Sequence, residues 1–534
     1  MKPLLLPAIC CLFVFSACAS PEQTIQSASQ NSSVKTLRVI HWNDFHSQNV
    51  PFTIKPRDAA AYSVSGSAAF KTYLDSLRKL SEQSSEAYIV LNGGDDFQGT
   101  PISSITKGRS QILLMNRLAP DAVVPGNHEF DYGGEHAIRL LKSEATFPVI
   151  CANLVYHDSQ KNVFEPYRII TRAGVKMAVI GLLTNDLARL SLSENIKNLD
   201  ALPYDDVLPK IISEIKSLHQ PDVIIVVSHI GLEEDKLLAE KYPEVMFFAG
   251  GHSHTAVKTP VKVRNSYVGQ AGSRGQFIGE AMLGVDTAAD TLTMFSGKLI
   301  EVRTASLAPD AAIQALVDSL EKPVEQALGE VIGELKKDWK RQGGRPSNLG
   351  AWESEAMRKG LGTDIGIQNT GGLRKDLYAG PIKVRDLWEI NPFGNAFVTF
   401  SLTGAELKKA IEWQLADKSE LCDMSGLYVR FDTTAAEGKR VKELQVGGAP
   451  VDEKKIYTAS TNNYVGTHLQ NFFGLDQQKH ALTYTPYSDH DFYIEAVRNE
   501  KIISGDNVLW YVAEGMDAKP QSVTPKPVKK SKQK

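Results

Sequence analysis

At 534 residues and 42% hydrophobic, the chain is too long for a single core, and two domains are expected. Its formal net charge of −3 lacks the basic excess that a polyanion binder carries, so no nucleic-acid partner is expected. Only Cys151 and Cys422 lie beyond residue 18, too few for a disulfide framework, and both are expected to be buried apolar side chains.

Residues 1–17 have the make-up of a signal peptide: Lys2 supplies the positive start and Leu4 to Phe15 the apolar core. Such a stretch is too short to remain as a membrane-spanning helix. Phe15-Ser16-Ala17-Cys18 resembles a bacterial lipobox, so Cys18 is expected to be lipidated and to anchor the chain to a membrane. The alternative is an ordinary secretory peptide cleaved near Ala19. Ala19 itself resembles the outer-membrane sorting pattern of Gram-negative lipoproteins, which places the expected location in the cell envelope, at the outer membrane or in the periplasm. Residues 18–35, rich in Ser, Gln and Asn, read as a flexible tether.

From residue 36 a series of short hydrophobic runs reads as buried strands, each ending in polar residues. Leu37 to Trp42 precedes Asp44-Phe45-His46, and Tyr88 to Leu91 precedes Gly94-Asp95. Val123-Val124-Pro125 precedes Gly126-Asn127-His128-Glu129-Phe130-Asp131. Val223 to Val227 precedes Ser228-His229, and Val245 to Ala249 precedes Gly250-Gly251-His252-Ser253-His254. Five strand ends of this kind are expected to converge on one edge of an α/β sheet, where such folds place their sites. Between them, Phe70, Tyr73, Leu74 and Leu77 form the apolar face of a helix opened by Gly66, and Leu208 to Leu218 reads as a second amphipathic helix.

A linker helix is expected over 306–329, starting at Pro309-Asp310 with Ile313, Leu316, Val317 and Leu320 on one face and interrupted at Pro323. It divides a domain at 36–305 from another at 330–512, with a disordered tail at 513–534. The second half carries Asn369-Thr370-Gly371-Gly372-Leu373-Arg374 and Asn391-Pro392-Phe393-Gly394-Asn395. A capping box at Thr403–Glu406 then leads a helix, and a strand-like segment runs from Ala459 to Tyr464.

Asp44, His46, Asp95, Asn127, His229, His252 and His254 offer seven oxygen or imidazole donors, too many for one tetrahedral zinc and suited to two divalent ions. Asp95, the only acid in the middle of the set, is the natural bridge. In D-x-H and H-S-H both side chains of an extended strand end fall on one side. Zinc, manganese and iron all accept such donors.

The ordered fragments D-x-H, GD, GNH[ED], H and G-H-x-H resemble the calcineurin-like metallophosphoesterases, and their flanking residues resemble the bacterial 5′-nucleotidase family. The N-x-G-G-[IL]-R, P-F-G-N and T-G-x-x-L pieces resemble that family's C-terminal substrate domain, so the likeness spans roughly residues 36 to 500. The resemblance implies an α/β fold: an N-terminal metallophosphoesterase β-sandwich flanked by helices, a linker helix, and a second α/β substrate-binding domain. It assigns one metal to Asp44, His46, Asp95 and His254, the other to Asp95, Asn127, His229 and His252, and a catalytic dyad to His128 and Asp131. Arg374, with Asn369 and Gly372 of the same motif, matches the phosphate grip, and Arg341 and Arg345 stand where further phosphate-binding arginines occur. Phe393 and Tyr464 match the aromatic pair that sandwiches the base. Gln470 stands where the family has an Asp for the ribose hydroxyls. The implied activity is release of phosphate from nucleoside 5′-monophosphates. The alternatives on the same scaffold are a cyclic-nucleotide phosphodiesterase, a UDP-sugar diphosphatase and a non-enzymatic nucleotide-binding or adhesive lipoprotein.

Overall fold

In the strand Val223–His229, Val223, Ile225 and Val227 bury into one hydrophobic core while Ile224 and Val226 bury into another. A strand buried on both faces needs a layer on each side. In this computed structural model, which describes residues 33–56, 59–342, 345–416, 421–506 and 510–514, the two layers are a second sheet and a helical layer.

The first half is a sandwich of two sheets. One orders its strands Thr291–Glu301, Phe277–Asp286, Val34–Trp42, Ala87–Asn92 and Ala122–Val123. The other runs Val261–Val263, Ser266–Gln270, Phe247–Gly250, Val223–His229, Val175–Leu183 and Tyr167–Arg172. Leu37, Val39 and Ile89 from one sheet meet Val179, Ile225 and Ala249 from the other in a shared dry core. The helix Tyr204–Leu218 covers the outer face with Leu208, Ile211 and Ile215. The five polar strand ends therefore converge from two facing sheets, not from the edge of one. The cause is burial: these near-continuous apolar strands fill both a sheet–sheet and a sheet–helix core, which periodicity alone does not reveal.

The second half is built on a five-stranded mixed sheet ordered Asp423–Ser425, Ile365–Gln368, Ile456–Asn462, Ala396–Thr403 and Thr483–Ser488. Phe397 packs on one face with Trp352 of the helix Asn348–Leu361, while Phe400 and Leu402 pack with Leu407 and Ile411 of the helix Gly404–Gln414. Thr403 and Glu406 cap that second helix reciprocally.

The joining helix is Ala311–Leu328, shorter at its start than 306–329, with the Asp310 carboxylate accepting the Ile313 amide at 2.8 Å. Pro323 does not interrupt it: the helix runs on through Val324 and Leu328, which are buried in the second half's core. Ile313 and Val317 bury instead against Ala68 and Leu114 of the first half. Packing at both ends outweighs the one backbone bond that proline removes.

Two smaller departures also have tertiary causes. The strand Tyr511–Glu514 pairs with Leu427–Asp432, so the second half extends two residues into the segment expected as tail. Asn463 and Tyr464 lie in a short helix after the strand Ile456–Asn462, because Asn462 caps it by accepting the Val465 amide. The signal peptide, Cys18 and most of the tether fall outside the described residues, as does the tail beyond Glu514. No helix among the described residues is long and apolar enough to cross a membrane.

Candidate active site

Asp95 is the centre of the site, and Glu129 sets its position. The Glu129 carboxylate accepts the amides of Asp95 at 3.0 Å, Asp96 at 2.8 Å, Phe97 at 3.0 Å and Gly126 at 2.5 Å. One buried side chain thus ties the loop after Ala87–Asn92 to the loop after Ala122–Val123. Gly126 is required where these loops touch, since a Cβ there would fall 2.1 Å from Asp95 Oδ1. Asn43 does similar work on the neighbouring loop, donating to Asp44 and to the Gly272 carbonyl and accepting the Ala271 amide.

These loops hold their residues in costly conformations. Asp44, His46, Asp95, His252 and His254 all have positive φ, between 49° and 78°. Non-glycine residues pay of order 1–3 kcal/mol each for such backbone, and it persists where surrounding bonds over-determine it.

Six of the seven expected donors come together, and Asn127 lines the cavity beside them. Carboxylate and imidazole atoms of Asp44, His46, Asp95 and His254 all lie within 4.8 Å of one another, and so do those of Asp95, His229 and His252. His254 Nε2 stands 3.1 Å from Asp44 Oδ1, and His229 Nε2 stands 3.0 Å from Asp95 Oδ2. Two backbone carbonyls orient the rings: Gln98 holds His46 Nδ1 at 3.1 Å and Gly93 holds His229 Nδ1 at 2.6 Å, leaving each Nε2 facing the cluster. Asn127 Oδ1 is buried without a hydrogen bond, and the buried Asp44 Oδ1 and His229 Nε2 have as neighbours the imidazole and carboxylate atoms of the cluster itself. Buried polar atoms left in that state need another partner, and two divalent cations supply it. The donor set fits the ions.

His128 and Asp131 sit at the rim. His128 Nδ1 is 2.7 Å from Asp131 Oδ2, and its Nε2 lies 4.0 Å from Asp95 Oδ2. Burial pulls the His128 pKa down, but Asp131 and Asp95 more than offset it and leave the ring above its ordinary value.

The second half closes over this cluster. Arg374 Nη2 comes within 3.3 Å of His46 Nε2, and the Phe393 ring centroid is 5.8 Å from that of His128. A cavity of about 360 Å³ results, within the usual size of a small-molecule site. Asp95, Asn127, His128, Asp131, His252 and His254 line its floor; Asn369, Gly372, Arg374, Phe393 and Tyr464 line its opposite wall. Asn369 is held by Asn462 Nδ2 at 2.9 Å. Arg341 lies outside this cavity, beside a smaller one next to His46, His254 and Arg374. Arg345 lines neither; it is exposed, and its charge faces Tyr511.

The nucleoside end of the cavity is built without the Gln470 loop. Gln470 is exposed and does not line the cavity, and neither does Asp476 or Asp489. Asp489 is buried behind the wall, accepting the Asn395 amide at 3.0 Å. The remaining wall comes from Leu190, Ser191, Leu192 and Asn195 of the first half, and Tyr464 reaches this segment by donating its hydroxyl to the Arg189 carbonyl at 3.3 Å. Sequence reasoning missed that segment and Glu129 alike. Glu129 stood inside a recognised motif, but nothing at residues 190–195 marked them before the fold brought them across.

Residues 37–256 match the model for the calcineurin-like phosphoesterases, and residues 331–477 match that for the 5′-nucleotidase C-terminal domain. The chain belongs to the 5′-nucleotidase family. Membership makes it a metal-dependent hydrolase of phosphate esters with a site for two divalent ions. Protein UshA of Yersinia enterocolitica is 26% identical over 80% of this chain and 84% of its own length. The 5′-nucleotidase of Vibrio cholerae is 28% identical over 80% of this chain and 85% of its own. Among solved structures, the 5′-nucleotidase precursor of Thermus thermophilus superposes with a TM-score of 0.81 at 26% identity, covering 90% of this chain and 99% of that one.

Proposed function

We propose that this protein releases phosphate from nucleoside 5′-monophosphates in the cell envelope, at the outer membrane or in the periplasm, held there by a lipid on Cys18. The observation that carries the activity is the single cavity in which Phe393 and Tyr464 share space with His128 and the metal-ligating cluster. Two divalent ions, when bound by the seven donors, would supply an activated water and positive charge for the phosphoryl oxygens.

The protein's own residues do the rest. Phe393 and Tyr464 take the base by its faces, a mode that tolerates any base. Arg374 holds phosphate oxygens with its planar fork and sets the phosphorus over the cluster. Asp131 accepts the Nδ1 proton of His128, which fixes the ring and leaves Nε2 toward the reacting group. From there Nε2–H stabilises an equatorial oxygen or protonates the departing 5′-alkoxide. Water adds to phosphorus, the P–O5′ bond breaks, and nucleoside and phosphate leave.

Turnover of AMP, UMP, a UDP-sugar and a 2′,3′-cyclic nucleotide, with the products separated by chromatography before and after chelation, tests the activity. Preferential, metal-dependent release from the monophosphates supports it; turnover confined to the other two classes refutes it. For the anchor, Cys18→Ser should release the protein from the membrane fraction and abolish acyl labelling. Unchanged membrane retention in that variant would refute lipidation at Cys18.

A further inference from the structure

The loop Asn391-Pro392-Phe393-Gly394-Asn395 presents the Phe393 ring to the nucleoside cavity, while its bonds run back into the interior of the second half. At its end, the Asn395 amide donates to Asp489 Oδ2 at 3.0 Å, and its carbonyl accepts the Asp489 amide at 2.8 Å. At its start, the Asn391 carbonyl accepts from His490 Nε2 at 2.5 Å, and the Asn391 side chain donates to Glu353 Oε1 at 2.5 Å. Gln368 Nε2 completes the grip by donating to Asn391 Oδ1 at 3.2 Å.

Glu353 is an unusual residue for its surroundings. It lies on the helix Asn348–Leu361 and is 1% exposed, beside the layer where Trp352, Phe397 and Tyr493 pack. Among the described residues no cation pairs with it, and its Oε2 makes no hydrogen bond. Burial holds its pKa well above the ordinary carboxyl range; the Asn391 bond opposes this, and the Asp489 and Asp423 carboxylates add to it. Glu353 thus sits there as a neutral carboxyl. Burying it with a single bond costs more than an apolar side chain would, and that bond goes to the residue that starts the Phe393 loop.

His490 is placed as firmly. Its ring stacks on Trp388 of the helix Val384–Ile390, with centroids 4.0 Å apart and planes 18° apart, which aims Nε2 at the Asn391 carbonyl. Neither His490 nor Glu353 lines the cavity. The loop needs such support. Phe393 is half-buried, and Gly394 beside it has φ +64°, so the loop's own backbone supplies little stiffness. A ring that must be ordered on binding gives up affinity, and one already held does not.

We propose that Glu353 and His490 are positioning residues for the nucleoside: through Asn391 they fix the loop that offers Phe393 to the base, and they touch no substrate themselves. This rests on the placement of base and phosphate given above. Arg374 has its own anchor, its amide donating to the Ile390 carbonyl at 2.8 Å, so the phosphate end does not depend on them.

The test compares Glu353→Met, which keeps the volume and removes the acceptor, with Glu353→Gln, which keeps the bond to Asn391. In Glu353→Met, KM for AMP and the inhibition constant of adenosine should each rise at least about tenfold. Its kcat and the inhibition constant of inorganic phosphate should stay within about threefold of the wild type. Glu353→Gln should match the wild type throughout. His490→Phe, which keeps the stack on Trp388 and removes the donor, should show the same split and decides the matter where Glu353→Met does not fold. Adenosine and phosphate weakened alike, or a lower Tm with every constant unchanged, makes both residues structural only and overturns the proposal. So does a Glu353→Gln protein as impaired as Glu353→Met. Calorimetry with adenosine separates this role from the proposed activity. If no nucleotide is hydrolysed, but adenosine binds the wild type and Glu353→Gln and not Glu353→Met, the positioning role stands and the activity falls. Hydrolysis of AMP without any adenosine binding to the wild type overturns the positioning role alone.

Discussion

Asp95 Oδ2 lies 3.0 Å from His229 Nε2, while the other oxygen of the same carboxylate accepts the His128 amide at 2.9 Å. One side chain thus faces both donor groups and also positions the dyad. Asp95→Ala is expected to lose bound metal and all turnover. His128→Ala should keep its metal while kcat falls by roughly 10²–10⁴, the usual worth of a proton-transferring or charge-stabilising side chain. Metal analysis of both variants checks the division; loss of metal from His128→Ala would contradict it.

Asp44 and Asp95 are wholly buried carboxylates placed close together, and divalent ions relieve their repulsion. Adding metal at about 100 times its Kd should therefore stabilise the folded protein by about 2.7 kcal/mol. For a domain of this size that raises Tm by roughly 5–10 °C. Calorimetric scans of stripped and reloaded protein measure it, with Asp95→Ala as the variant that should not respond.

Glu129 binds four backbone amides and touches neither cavity. Glu129→Ala strands those donors in a dry interior, at about 1–3 kcal/mol for each group left unpaired. A loss of at least about 3 kcal/mol is expected in urea unfolding, with lower metal occupancy at equal protein concentration.

Among the residues lining the nucleoside cavity, the only carboxylates are Asp95 and Asp131, both committed to the metal cluster and the dyad. The ribose hydroxyls accordingly find no further acid, and kcat/KM for AMP and 2′-deoxy-AMP should agree within about tenfold, a gap under about 1.4 kcal/mol. A larger ribo preference would show that another group reaches the sugar. Phe393→Ala should cost about 1–3 kcal/mol of stacking in kcat/KM for either nucleotide.

The metal site was legible because its chemistry is local: D-x-H, GD, GNH and H-x-H each sit at a strand end, and strand runs are strong signals. What escaped depends on long-range placement. The Leu190–Asn195 wall meets Tyr464 across some 270 residues, and no periodicity encodes that approach. Pro323 read as a break because its local cost is visible in sequence, whereas the packing of Val324 and Leu328 that outweighs it is not. Arg341 and Arg345 were alike on paper, but the fold brings only Arg341 to a cavity beside the metal cluster.

The most direct measurement is phosphate release from AMP by protein stripped with a chelator and then reloaded with zinc, manganese or iron, run beside Asp95→Ala. No release from stripped protein, recovery with at least one metal, and no recovery in Asp95→Ala are expected. Undiminished release in chelator, or none from any nucleoside monophosphate with any of the three metals, would contradict metal-dependent nucleotide hydrolysis at this site.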